Sequence, residues 1–121
     1  MNRKEIGYWG ENQAKLFLEK KGFQILHQNW KAGRGGELDI VGLHQAYLVF
    51  VEVKTRHEPT FLPAELTIGL KQQKKLIQMA VLYLKYFPVY TQDVRFDSLG
   101  IAILSPEEIK ITHIEEAFYS W

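Results

Sequence analysis

The chain has 121 residues, of which 46% are hydrophobic and 13% aromatic, and a formal net charge of +1. This is enough apolar material for one core and too much for a disordered chain, so residues 1–121 are expected to form a single domain. The absence of cysteine excludes a disulfide scaffold and thiolate metal ligands. The amphipathic start argues against a signal peptide and no apolar run reaches membrane-spanning length, so a cytoplasmic protein without a membrane partner is expected.

Residues 3–21 place Ile6, Gly10, Ala14, Phe17 and Leu18 on one helical face, and Gly22 supplies a stop. Residues 23–30 alternate enough to predict a strand, and the glycine-rich loop 31–36 follows. Two runs, 37–43 and 47–54, separated by His44-Gln45-Ala46, predict a β-hairpin. The second run is apolar until Glu52, the pattern of a central strand covered on both faces. After a loop containing Pro59 and Pro63, residues 68–86 carry Ile77, Ala80, Val81 and Leu84 at helical spacing. Strands are expected at 93–104 and, shorter, at 109–114. Helix, three strands, helix and strands make an α/β fold, a mixed central sheet flanked by helices.

Alternation along a strand predicts that Glu37, Asp39 and Val41 point one way and Leu38 and Ile40 the other. The same rule groups Leu48, Phe50, Glu52 and Lys54, with Glu52 and Lys54 roughly 7 Å apart. A hairpin register that sets Asp39 beside Glu52 would offer carboxylate oxygens to Mg²⁺ or Mn²⁺, with the Val53 carbonyl as a candidate third ligand. Lys54 is then placed to offset charge growing on a phosphate or to orient water. For a bare Glu-x-Lys the ordinary reading is a solvated strand end. It weakens here because a carboxylate following an apolar run needs ionic or hydrogen-bond compensation.

Basic residues cluster on both sides of this acidic island. Arg34, Arg56, Lys71, Lys74 and Lys75 are candidates for phosphate contacts, each weighed against plain solvation. The four histidines have no metal-binding spacing, which argues against zinc. Trp30, Tyr47, Phe50, Phe61, Tyr83, Phe96 and Phe118 are more readily explained as core than as base-stacking groups.

Asp39, Glu52-Val53-Lys54 resembles the PD-(D/E)XK signature of restriction-endonuclease-like nucleases, with Leu38 where the signature has proline. A fuller resemblance, to the YraN-like family of small bacterial proteins, covers nearly the whole chain. It rests on Gly10-Glu11 with Ala14, Gly36-Glu37-Leu38-Asp39-Ile40, Val49 to Lys54 with Arg56, Lys71 and Leu76 before Ala80, Arg95-Phe96-Asp97, and Ala117-Phe118. The resemblance implies a restriction-endonuclease-like core, similar to archaeal Holliday junction resolvases, with Asp39, Glu52 and Lys54 as the catalytic trio. It also implies that Glu11 joins Asp39 and Glu52 around Mg²⁺ or Mn²⁺; by helical-wheel counting Glu11 borders the apolar face of the first helix. Glu37 is either an outer carboxylate or a hydrogen-bonded closure of the glycine loop.

The expected activity is metal-dependent hydrolysis of phosphodiesters, in DNA rather than RNA, with branched or flapped DNA as candidate substrates and a homodimer as a candidate assembly. Two alternatives stand beside it. One is a nucleic-acid-binding module that keeps the fold without turnover. The other is a protein-interaction adaptor using the end Ala117-Phe118-Tyr119-Ser120-Trp121, weighed against a tail folded back on the core.

Overall fold

The computed structural model describes residues 1–33, 35–57 and 66–119. Helix α1 (Arg3–Lys20) begins at a capping box: the Asn2 side chain accepts from the Glu5 amide and the Glu5 carboxylate accepts from the Asn2 amide. It is followed by β1 (Gln24–Lys31), β2 (Glu37–His44), β3 (Tyr47–Arg56), α2 (Leu70–Tyr86), β4 (Asp93–Ser105) and β5 (Glu108–Phe118). The strands form one sheet in the order β1-β2-β3-β4-β5. Neighbours are antiparallel except β3 and β4, which run parallel because the α2 connection returns the chain to the end of the sheet where β3 began. The mixed α/β architecture expected of a restriction-endonuclease-like core is the one found.

Each face of the sheet carries one helix. Toward α2 lie Leu38, Val41, Leu48, Phe50 and Phe96, packed on Leu76, Met79, Ala80 and Tyr83. Toward α1 lie Ile40, Val49, Val51, Leu99 and Ile101, packed on Ala14 and Leu18. The apolar run of β3 is therefore shared alternately between two cores, as its composition predicts. Among the described residues, no helix is long and apolar enough to cross a membrane.

Three expectations need correction. The predicted alternation along β2 fails, because Leu38 and Val41, three positions apart, both pack in the α2 layer while Ile40 packs against α1. The partner strand breaks at the same level: His27 and Trp30 both contact Tyr83, and between them Asn29 has φ 51°. A left-handed residue in a strand bends it and re-aims its side chains, and Asn29 lies across from Asp39. Second, His44 belongs to β2 rather than to the turn, which consists of Gln45 and Ala46. Its ring stacks on Phe23, with centroids 4.1 Å apart, and its Nδ1 accepts from Arg95 at 3.0 Å. Third, the last strand extends to Phe118, which is 8% exposed and stacks on Phe96 with centroids 4.6 Å apart. The aromatic end is folded onto the core as far as Phe118. Phe50, Tyr83 and Phe96 are also core residues, while Trp30 and Tyr47 are half-buried. Arg34, Phe61, Ser120 and Trp121 lie outside the described residues.

Candidate metal centre and active site

β2 and β3 pair from His44–Tyr47 to Ile40–Val51 and then separate, β3 continuing beside β4 alone. One step further along the same register places Asp39 level with Glu52, at the mouth of the fork. There Asp39 Oδ2 accepts from the Val53 amide at 2.9 Å, so a carboxylate satisfies a donor that the diverging strand leaves behind. Glu52 and Lys54 continue the α2-facing side of β3, beside Ser98 and Gly100 of β4.

The third wall is α1. A Cβ on Gly10 would overlap the Thr55 side chain, so glycine lets the helix settle directly on β3. The next residue, Glu11, reaches the fork, and oxygens of Glu11, Glu37 and Asp39 lie within 4.8 Å of one another. Glu52 stands outside that trio. Its Oε1 accepts from Gln72 of α2 at 3.3 Å, and its charge is felt through Asp39, Lys54 and Glu11. Glu37 also pairs with Lys31 at 3.6 Å.

Four carboxyls around one fork cannot all ionise cheaply. Burial, then the charges of Asp39 and Glu37, push Glu11 up to about 7. Burial raises Asp39 to about 6 against the opposing Val53 hydrogen bond, and Glu11 donates to it in the protonated state. Burial and the Asp39 charge push Glu52 up to about 7, opposed by Lys54. Such a cluster is compensated by sharing protons or by binding a cation. The donor set fits a hard divalent ion: it is all oxygen, and Glu11 Oε2 is buried without a hydrogen-bond partner among the described residues.

The predicted phosphate-contacting residues are distributed around this site. Lys71, Lys74 and Lys75 are exposed on α2, the helix that also sends Gln72 to Glu52. Lys75 lies across Gly36, where an added Cβ would come 2.7 Å from its Cε. Arg56 is half-buried at the end of β3, and Arg34 falls outside the described residues.

Sequence reading missed three polar residues at the fork. Gln72 was hidden among the polar residues of an amphipathic helix, and Asn29 in a strand with only partial alternation. Ser98 is fully buried beside Glu52, and its Oγ has no partner among the described residues. A buried network in β4 was also missed. Asp97 accepts from Arg95 through Nε and Nη2, both at 2.9 Å, from His113 Nε2 at 2.8 Å and from the Glu116 amide at 3.1 Å. Lys21 donates to His113 Nδ1 at 2.9 Å. The signal available was Arg95-x-Asp97, two charges on one face of an otherwise apolar strand.

The chain matches the model of the uncharacterised protein family UPF0102 over residues 10–101. It belongs to this family. UPF0102 is the YraN-like family whose sequence blocks the chain carries. A UPF0102 protein of Bacteroides thetaiotaomicron is 41% identical over 115 residues, covering 95% of this chain and 93% of its own length. One of Syntrophomonas wolfei is 41% identical over 118 residues, covering 98% and 100%. One of Natranaerobius thermophilus is 37% identical over 119 residues, again covering 98% and 100%. The UPF0102 match spans every residue of the fork, from Glu11 to Ser98, whereas β5 lies beyond it.

Proposed function

We propose that this UPF0102 protein is a metal-dependent nuclease that hydrolyses DNA phosphodiester bonds, with branched or flapped DNA as its substrate class. The observation that carries this reading is the fork itself. Glu11, Glu37 and Asp39 crowd within 4.8 Å, Glu52 adds its charge from the next strand, and Lys54 follows Glu52 on the same face. A purely structural cluster would gain nothing from collecting carboxyls that burial drives toward protonation.

In this reading Asp39 and Glu11, joined by Glu52 from the next strand, would hold Mg²⁺ or Mn²⁺. When bound, the cation supplies Lewis-acid polarisation of a phosphoryl oxygen and lowers the pKa of water. The chain's own residues do the rest. The Val53 amide fixes Asp39, Gln72 fixes Glu52, and the Lys54 ammonium offsets negative charge as the phosphorus becomes five-coordinate. Exposed Lys71, Lys74 and Lys75 on the neighbouring helix track the phosphate backbone. A DNA substrate would be met in the cytoplasm, and a two-fold symmetric junction would call for two copies.

The test is cleavage of labelled linear, flapped and four-way-junction DNA with Mg²⁺ or Mn²⁺. Loss of cleavage by at least about 100-fold in both Lys54→Ala and Glu52→Ala is expected, the scale of removing a charge-stabilising group. Tight, salt-dependent binding with no cleavage under either metal would instead make the chain a non-catalytic DNA-binding module.

A further inference from the structure

Asn29 sits in the left-handed region, φ 51°, in the middle of β1. Asparagine is among the residues that tolerate this conformation best, yet it still costs about 1–2 kcal/mol, and such strain persists where the surroundings hold it. Between the pairs Gln28–Ile40 and Trp30–Leu38, Asn29 lies across from Asp39. Its side chain hydrogen-bonds Glu11. Its Oδ1 is closed off from solvent with no hydrogen-bond partner among the described residues, and so is Glu11 Oε2. Each orphaned oxygen costs about 1–3 kcal/mol, and once Glu11 is ionised both are acceptors and cannot relieve each other. A hard divalent cation relieves both, because carboxylate and amide carbonyl oxygens are donors it prefers.

We propose that Asn29 Oδ1 is a ligand of the divalent cation held by Glu11 and Asp39, and that the left-handed kink in β1 serves to aim it there. This inference rests on the cation-dependent reading of the fork but not on DNA cleavage. The kink brings a neutral oxygen to the carboxylates, adding a ligand without adding charge.

Mn²⁺ binding by the full chain, measured by titration calorimetry at neutral pH, tests it. Asn29→Gly keeps the left-handed backbone at no steric cost and removes the carbonyl. It is expected to weaken Mn²⁺ binding by about 10- to 100-fold, the range for a lost supporting ligand. Undiminished affinity in Asn29→Gly overturns the proposal. A second measurement needs no variant: on titrating the unaltered chain with Mg²⁺, the Asn29 side-chain amide resonances should move together with the Asp39 backbone resonance. Movement at Asp39 with a stationary Asn29 side chain also overturns it. Absence of any Mn²⁺ binding overturns this proposal together with the metal-dependent function. Binding that depends on Asn29 without DNA cleavage upholds it and removes only the nuclease assignment.

Discussion

Glu11 holds its proton to about pH 7 because the fork withdraws it from water and sets Asp39 and Glu37 beside it. Its pKa is raised above the ordinary value of 4.5, so its contribution to stability is fully present below that value and is lost as pH rises through about 7. In a chelator, Glu11→Gln should therefore raise the thermal midpoint at pH 8 and leave it little changed at pH 5. An equal shift at both pH values in melts followed by circular dichroism would refute the shared-charge account. Mn²⁺ should reduce the advantage at pH 8, because the ion supplies the compensation that the neutral amide otherwise provides. Asp97 has the opposite sign. Although burial works against it, hydrogen bonds from His113 and Arg95 hold it below the ordinary carboxylate range, so its contribution is present above that range and is lost as acid protonates it.

At the level of elements, the site depends on how closely a helix can approach a strand and on where two strands part. Gly10 permits the approach, and an alanine there must displace Thr55 or the helix. Gly10→Ala is expected to cost about 1–3 kcal/mol in chemical denaturation, as overpacking does, and to weaken Mn²⁺ binding by moving Glu11. A variant that binds Mn²⁺ normally would show that α1 has more freedom than this contact implies. At the other end, β5 carries Phe118 onto Phe96. Phe118→Ala should therefore cost about 3–5 kcal/mol of folding stability. An adaptor using this aromatic end would lose partner binding in the same variant with its stability intact.

Across the whole molecule, chemistry and cohesion occupy different places. The fork gathers groups that disfavour the folded state at neutral pH, while the Arg95–Asp97–His113 network joins β4 to β5, reaches His44 of β2 and meets Lys21 at the end of α1. Asp97→Ala leaves the buried Arg95 guanidinium, 4% exposed, without its bidentate partner. It should cost about 3–5 kcal/mol, whereas Glu52→Ala should leave the denaturation midpoint unchanged or raise it. Urea titrations of the two variants would separate the roles, and a large loss on Glu52→Ala would mean that the fork is structural.

Periodicity in the sequence was sufficient for the helices, the hairpin and the doubly covered β3, because burial of one stripe or of both strand faces leaves a pattern that neighbouring residues cannot disguise. The same local order set Glu52 and Lys54 on one face and the border position of Glu11 on its helix. The motif blocks also pointed to the family. Tertiary structure alone decided where Asp39 points, since β2 breaks alternation between Leu38 and Val41 and the parting of β2 from β3 leaves the Val53 amide for Asp39 to take. It also decided that Gln72 reaches Glu52 from an exposed face of α2 and that Asn29 and Ser98 join the fork, because a polar residue on a helix or a strand shows no partner until the elements are packed together. The length of β5 was set in the same way: Phe118 extends that strand because Phe96, on the strand beside it, offers a face to cover.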